Sequence, residues 1–413
     1  MKKISIILIF SVFILTGQAQ NADFSGFVRN YTGVLYKTGD LSILQNTFNL
    51  DVSKTGQKIG FKVNPMLYHY WSDSLDLRLR EVYLDLYFKN FDVRVGKQQI
   101  VWGKADGVFI TDVVSPLNLE EFLLPDFDEI RTGVEAVKLD YYIGNNTLEA
   151  IWIPQFTPTE APKPGSIWYI QPHFPAPATF DWSKSSITPS LKNSEAFVKY
   201  TALTSAVDFE IMGGYTWDAN PTMHVQKEFA VNLQTHQPYL AGLNITPEHH
   251  RLYLAGGSFS TQIAGFVLRG EGAYYNGKYF QTEDPTAVDA LSQNDFLHYL
   301  LGLDFNIGKV KLSTQFVQET ILNYNDLIVN PEFQNTMTFL ARYDTQDDLL
   351  HFELFSYIGL TDTDALIRPK ITYDFDDSFS ILLGSNIFVG DRDGRFGQYQ
   401  DNSMIYMKLK YSF

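Results

Sequence analysis

Near the end of the chain, from Ile405 to Phe413, every second residue is apolar and the residues between them are mostly polar. Successive side chains of a β-strand lie on opposite faces, so this segment predicts a strand with one wholly apolar face. The apolar positions are Ile405, Met407, Leu409, Tyr411 and Phe413. A transmembrane β-barrel needs such strands, with aromatic residues at the membrane interface. We therefore expect this strand to close a barrel, with Phe413 as its assembly signal.

The N-terminal stretch has the parts of a secretory signal peptide. Two lysines follow Met1, residues 4–15 are apolar apart from two serines, and the small residues Gly17 and Ala19 precede a cleavage position. The apolar run is about a dozen residues, shorter than the roughly 17–25 that a spanning helix needs. We predict a signal peptide over residues 1–19 and one mature domain over residues 20–413.

Composition favours a membrane barrel and excludes several functional classes. Aromatic residues make up 15% of the chain and charged residues 19%, as expected for aromatic girdles and a lipid-facing surface. Cysteine is absent, so the chain has no disulfides and no thiolate chemistry. The formal net charge of −15 argues against a nucleic-acid partner. No Gly-x-Ser-x-Gly motif occurs and the histidines lie mostly in loops, so we expect neither enzymatic activity nor a cofactor.

Strand-like segments recur from Phe24 to the C-terminus, and short turns alternate with longer loops. The predicted strands are 24–36, 44–54, 58–71, 77–88, 91–101, 132–142, 146–155, 192–202, 206–217, 249–259, 263–276, 295–306, 309–321, 334–344, 349–359, 364–375, 378–389 and 402–413. This pattern predicts an all-β fold, a transmembrane antiparallel barrel of about 18 strands, with 16 as the alternative.

Two long loops interrupt the pattern. Residues 156–191 are rich in proline, which predicts a stiff extracellular loop that shields the mouth of the barrel; a folded lid is the alternative. Residues 218–248 form a second loop, with four histidines in or beside it: His224, His236, His249 and His250. Their irregular spacing indicates surface residues, and we expect no metal site.

Alternation also fails between residues 102 and 131, where many apolar residues would be costly to expose to water. We expect this segment to fold into the lumen and narrow the pore; an ordinary folded extracellular loop is the alternative. Asn118 precedes Leu119, Glu120 and Glu121, which predicts a helix N-cap followed by one short helix.

The same region carries a recognisable motif. Gly96, Lys97, Gln98, Trp102, Gly103 and Asp106 are followed by Asp112, Val113, Pro116, Asn118 and Phe122. This spacing resembles the signature of an outer-membrane barrel family known as domain of unknown function 1302. The resemblance implies the fold and the bacterial outer membrane as location. Some relatives are suspected of handling hydrophobic compounds, which supports an alternative function below.

The charges predict a lumen with mixed signs and an acidic constriction. From Lys104 to Arg131 there are seven carboxylates and two basic residues, so we expect weak cation selectivity. The segment's predicted pore-lining residues are Lys97, Gln98, Trp102, Lys104, Asp106, Asp112, Glu120, Glu121, Asp126, Asp128, Glu129 and Arg131. The wall contributes Glu81, Asp85 and Arg94. Arg78 and Arg80 are out of phase with Glu81, which indicates a bulge or an outward position at the lipid headgroups.

These observations favour a porin for passive diffusion of small hydrophilic solutes. One alternative is a transporter that binds apolar or aromatic compounds, in which residues 108–124 would line a greasy site. Another is a structural barrel whose proline-rich loop meets a partner. The expected partners are outer-membrane lipid and lipopolysaccharide, the barrel-assembly machinery and small solutes.

Overall fold

The computed structural model describes residues 22–72 and 74–413, and the predicted signal peptide lies outside the described residues. The strands are β1 (Asp23–Leu35), β2 (Leu41–Thr55), β3 (Ile59–Tyr70), β4 (Leu75–Tyr87), β5 (Phe91–Gln98), β6 (Val134–Ile143), β7 (Asn146–Ile153), β8 (Ala178–Phe180), β9 (Glu195–Leu203), β10 (Asp208–Trp217), β11 (Thr222–Val231), β12 (Pro238–Glu248), β13 (Arg251–Ile263), β14 (Phe266–Gln281), β15 (Leu291–Ile307), β16 (Val310–Ile321), β17 (Phe333–Asp344), β18 (Leu350–Gly359), β19 (Asp364–Asp374), β20 (Phe379–Gly390) and β21 (Met404–Ser412).

Helical structure is sparse in this part of the chain. One α-helical turn, α1, spans Phe127–Ile130. Short 3-10 turns lie at Trp182–Lys184, Leu191–Asn193, Val288–Ala290 and Gly397–Asn402. None of the helices in the described ranges is long and apolar enough to cross a membrane.

Eighteen antiparallel strands form one closed sheet, which confirms the predicted count. Closure occurs between the first and last strands, whose register runs from Phe27 opposite Ser412 to Leu35 opposite Met404. The Gly26 and Phe413 backbones extend this pairing, because the amide of each donates to the carbonyl of the other at 3.0 Å. Closure leaves no free sheet edge at this junction, as a strand in lipid requires.

Alternation along the strands sorts side chains into two environments. Leu383 on β20 and Ile371 on β19 face outward and stay exposed, as lipid-facing residues do. Gln315 and Arg368 face inward and are 1% and 3% exposed, because other parts of the chain cover them inside the barrel. The lumen is therefore filled in part by protein.

The two ends of the barrel differ in their connections. At one end eight turns of two to five residues join the strands, and at the other lie the long connections 99–133, 154–194 and 218–250. The last of these is not a simple loop, contrary to the sequence prediction. β11 and β12 pair as a hairpin, and β8 joins β12 in parallel to form a small second sheet. Met223, Val225, Phe229 and Val231 alternate with mostly polar residues, a signal for this hairpin that the sequence prediction overlooked.

The barrel wall is not equally high all round. β5, β6, β7 and β9 have 8 to 10 residues, whereas β14 and β15 have 16 and 17. β4 pairs with β5 only from Val82 to Tyr87. Residues 75–81 of β4 therefore pair with β3 alone, beside the point where the chain turns into the lumen.

Candidate functional site

The inserted segment, residues 102–131, starts where β5 stops. Gln98 is fully buried, and its side-chain amide donates to the Ala136 carbonyl at 3.1 Å, which fixes the end of the strand to β6. Beyond it, the Ile100 amide donates to the Ser115 hydroxyl at 2.8 Å. The chain thus folds back on itself as it enters the lumen.

Trp102 anchors the beginning of the segment to the wall. Its side chain is 2% exposed, its indole N–H donates to the Glu149 carboxylate on β7, and its ring packs edge-on against Phe197. The Trp102 amide donates to Asp112 Oδ1 at 3.0 Å, while Asp112 Oδ2 accepts from Arg131 Nε at 2.5 Å. Burial raises the pKa of Asp112, an effect that Arg131 and the Trp102 amide oppose.

Two glycines of the inserted segment allow close approach to the opposite wall. Gly103 has φ +83°, and a Cβ there would lie 2.6 Å from the Glu271 carboxylate of β14. That carboxylate accepts from the Lys104 and Thr111 amides at 2.9 and 2.7 Å. Gly107 has φ +74°, and its carbonyl accepts from the Tyr357 hydroxyl at 2.6 Å. A side chain at either glycine would displace the segment from the wall.

Asp106 lies among polar groups of the same side of the barrel. Its carboxylate pairs with Arg269, which also contacts Asp304 at 3.0 Å. The Gln315 side chain brackets the Asp106 backbone, accepting from its amide at 3.0 Å and donating to its carbonyl at 2.8 Å. β14 and β16 therefore hold the first part of the segment through its backbone.

The middle of the segment turns where a helix was predicted, and that prediction is wrong. Asn118 caps a turn instead, because its Oδ1 accepts from the Glu120 amide at 3.0 Å. Phe122 has φ +55°, a left-handed conformation that a helix does not tolerate. The Arg368 guanidinium donates to the Leu123 and Leu124 carbonyls at 2.8 and 2.7 Å, which fixes the turn on β19. The one helical turn lies later, at Phe127–Ile130.

Ion pairs hold the end of the segment to the first and last strands. Arg29 of β1 donates two hydrogen bonds to Glu129, at 2.7 and 2.9 Å. Asp126 contacts Lys408 of β21 at 2.9 Å and Lys370 of β19 at 3.6 Å. Burial alone would raise the pKa of Asp126, but the two lysines hold it well below its usual range.

Two neighbouring glutamates of the turn have opposite environments. Glu120 pairs with Arg78 at 2.8 Å and with Lys163, and these partners outweigh its burial and lower its pKa. The Glu121 side chain has no ion pair or hydrogen bond among the described residues. Burial raises the pKa of Glu121 to about 7, and Lys408 and Arg29 offset only part of that effect.

A cavity of about 710 Å³ remains between the segment and the β1–β4 side of the wall. Its lining combines seven basic and five acidic residues with tyrosines and a few apolar side chains. The charged lining residues are Arg29, Arg78, Arg80, Lys97, Arg131, Lys163, Lys408, Asp76, Glu120, Glu121, Glu129 and Glu160. A second space, of about 200 Å³, lies under Phe109 on the other side of the segment.

The structure refines one placement from the sequence and corrects another. Lys97 lines the large cavity, but its strand position, in register with Val82, puts it on the same outer face as Val95. Arg78 and Arg80 do not point outward: Arg78 meets Glu120, and Arg80 donates to the Asp128 carbonyl. The expected bulge is present, because the β3–β4 register shifts between Asn64 and Pro65 and leaves Arg80 unpaired.

The remaining predicted residues divide between the segment and the wall. On the wall, Asp85 pairs with Arg94 at 2.7 Å and Glu81 with Lys62 at 3.0 Å. Both pairs lie within the wall, away from the segment's own contacts. The Lys104 backbone is held between Glu271 and Arg269, whereas Asp128 is exposed and accepts from Arg80 and Gln99 through its carbonyl. Sequence reasoning missed that Arg29, Arg269, Glu271, Tyr357 and Arg368 clamp the segment.

The proline-rich loop packs onto the inserted segment at the end of the barrel that carries the long connections. In the proline-rich loop, Trp168 is 6% exposed and packs against Phe388 and Tyr399, and the Glu160 amide donates to the Leu117 carbonyl at 2.9 Å.

In the second loop region, the side chains of His224 and His250 contact each other through their ring nitrogens. No cluster of three metal-ligating side chains with suitable geometry occurs in residues 22–72 and 74–413.

The fold is similar to solved outer-membrane porins. OccK2 (OpdF) of Pseudomonas aeruginosa, solved in complex with glucuronate, has a TM-score of 0.54 at 11% identity, covering 95% of this chain and 98% of that chain. OccD3 (OpdP) of the same organism has a TM-score of 0.54 at 10% identity, covering 96% and 92%. OccAB4 of Acinetobacter baumannii has a TM-score of 0.55 at 10% identity, covering 95% and 97%. At these identities the likeness establishes the fold alone.

Sequence comparison adds the family. No curated protein matches the chain. The closed barrel and its apolar outer surface place this protein in the bacterial outer membrane. The model of the family described as "Protein of unknown function (DUF1302)" matches residues 71–325, more than half of the chain and including the whole inserted segment. The chain therefore belongs to the DUF1302 family, as its motif predicted.

Proposed function

We propose that this barrel is a channel for passive diffusion of small hydrophilic solutes, narrowed by the inserted segment. The observation that carries the proposal is the segment's attachment to several sides of the lumen. Glu271 holds its beginning, Arg368 its middle and Arg29 its end. What remains open beside it is a cavity with a charged, tyrosine-rich lining, which suits hydrated solutes better than apolar ones.

The apolar residues of the segment support this function over binding of hydrophobic compounds. Ile110, Val114 and Ile130 are buried against other side chains instead of lining the large cavity. Their apolar surface therefore anchors the segment. A binding site for hydrophobic compounds would need these side chains to face an open space.

Ion preference is expected to be weak, with cations favoured. Most segment carboxylates are neutralised by partners, as Asp126 is by Lys408. Glu121 and Asp128 have no ion-pair partner in the described chain, and they would carry the cation preference. The basic lining residues oppose it, so the reversal potential should be small.

Planar-bilayer recording of the purified protein tests this function. A channel gives steady steps whose conductance rises with salt concentration, and liposomes containing it swell in solutions of small neutral sugars. A barrel that is folded, inserted and electrically silent in both assays would refute the proposal. We also propose contact with lipopolysaccharide and recognition of the C-terminal strand by the assembly machinery; deleting Phe413 should then reduce folded, heat-modifiable protein in the outer membrane.

A further inference from the structure

The upper half of β4 has an unpaired edge. From residue 75 to residue 81 its backbone hydrogen bonds go to β3, and no described residue bonds to its other side. An open strand edge is not stable in lipid hydrocarbon unless it borders protein or a water-filled space. Leu75, Leu77 and Leu79 project outward from this stretch and are exposed, as lipid-facing side chains are.

The large cavity reaches this edge. Five consecutive residues of β4, 76–80, line it, although alternate residues of a strand face opposite sides of a sheet. A closed wall presents alternate side chains to the lumen and only backbone atoms of the residues between them. Here the cavity contacts Leu77 and Leu79, whose side chains are exposed, where β4 has no partner on its other side, as an opening at this edge would require.

Lys97 gives independent evidence for the same opening. It lies on the outer face of β5, in register with Val82 and Glu135, yet it lines a cavity that also contacts Arg29 and Lys408 inside the barrel. At its lower end the gap between β4 and β5 is closed by Gly133. The Gly133 backbone packs so closely against β4 that a Cβ there would lie 2.5 Å from the Arg80 carbonyl oxygen. The opening is thus bounded below by Gly133 and on one side by residues 76–79.

We infer that this gap is a lateral window through which the cavity takes up, from the outer leaflet, amphiphiles with an anionic head and a hydrocarbon tail. The cations at the window are free to bind such a head. Lys97 has no hydrogen bond or ion pair within the described chain, and the Arg80 guanidinium donates to the Gln99 side-chain oxygen and the Asp128 carbonyl but forms no ion pair with a described residue. Leu77 and Leu79 offer an apolar surface to the tail on the lipid side. This route is additional to the axial passage of hydrophilic solutes and does not depend on it.

Photolabelling in vesicles tests the window. The wild-type barrel is reconstituted in phosphatidylcholine vesicles with dodecanoate that carries a diazirine beside its carboxylate group, irradiated and mapped by mass spectrometry. We expect adducts on Tyr68 and Leu124, which line the cavity inside the barrel. Adducts confined to outward residues such as Leu84 and Val95 would overturn the inference.

Two substitutions distinguish entry through the lateral window from entry through the end of the barrel that carries the long loops. Leu79→Trp should obstruct the gap and remove most labelling of Tyr68 and Leu124, whereas Leu84→Trp, on the same outer face where β4 is paired with β5, should not. Cavity labelling that persists in folded Leu79→Trp would contradict lateral entry.

A third substitution tests the role of charge. Lys97→Gln should lower labelling by dodecanoate roughly two- to fivefold, which corresponds to the free energy of an exposed ion pair, and leave labelling by a diazirine dodecanol unchanged. Equal effects on both probes would contradict the role given to charge. Because labelling needs no ionic current, a failure here is distinct from failure of the channel assay.

Discussion

The two halves of the inserted segment are held in the lumen by different forces. In the first half, residues 102–114, Trp102 and Ile110 are buried against β7, β14 and neighbouring strands. In the second half, residues 116–131, carboxylates meet Arg29, Arg78 and lysines beside the large cavity. Apolar burial, together with backbone hydrogen bonds to Glu271 and Gln315, fixes the first half, whereas ion pairs beside the large cavity fix the second half. The first half is therefore expected to govern stability and the second half permeation.

The largest effect should come from removing the indole that anchors the first half. Trp102→Ala should lower the free energy of unfolding by roughly 3–5 kcal/mol, because it leaves a cavity and removes the donor to Glu149. Urea titration of the folded, heat-modifiable form measures the change. Trp152→Ala, on the lipid-facing side of β7, is the control and should cost less, since that side chain is already exposed. Equal losses would mean that the first half does not depend on this anchor.

A somewhat smaller effect is expected from breaking the buried ion pair of the second half. Arg29→Gln should cost about 3 kcal/mol, because it leaves Glu129 buried without its partner, and should make the channel current noisier as the second half loosens. Adding Glu129→Gln should restore part of the stability. Arg342→Gln breaks a half-exposed pair with Glu353 and should cost at most about 1 kcal/mol. If Arg29→Gln is no worse than this control, charge pairing does not hold the second half.

The smallest effect concerns ion preference and its dependence on pH. Because the pKa of Glu121 is raised to about 7, its carboxylate is mostly neutral at pH 6 and mostly charged at pH 8. Cation preference should therefore increase from pH 6 to pH 8, most visibly at low salt, where screening is weakest. Reversal potentials across a salt gradient measure it.

Glu121→Gln should abolish this pH dependence, whereas Glu353→Gln on the wall should leave it intact. A pH step that survives in Glu121→Gln would show that another group in the passage titrates in this range. A preference that ignores Glu121 and Asp128 but follows Glu353 would place selectivity on the wall.

The strands of the barrel wall were predictable from the sequence because the pattern of each strand depends only on residues close together in the chain. Each strand must alternate apolar and polar residues to separate lipid from lumen, so all 18 strands could be found, including β21. Failure of that alternation in residues 102–131, together with their apolar content, predicted the inserted segment. The second sheet was missed although β11 and β12 also alternate, because the whole connection between two wall strands was interpreted as a loop.

The attachment of the segment was not predictable, since its partners lie far away along the chain. Arg368 holds Leu123 and Arg269 pairs with Asp106 only because closure brings β19 and β14 around the lumen. The helix prediction relied on Asn118 as a cap, but the Arg368 contacts favour a turn with Phe122 left-handed. The position of Lys97 at an opening in the wall was not predictable either, because strand alternation puts it on the outer face with Val95 although it lines the cavity.

Single-channel conductance of a barrel lacking residues 106–126 tests most directly whether the segment narrows the lumen. The deletion removes the Asp106 contacts to Arg269 and Gln315 and the Leu123 contact to Arg368, and it omits no residue of the 18 wall strands. A lumen of that strand number is wide when nothing fills it, so the conductance of the folded, heat-modifiable deletion should rise well above that of the intact barrel. An unchanged conductance in the folded deletion would contradict the proposal and place the segment outside the conduction path.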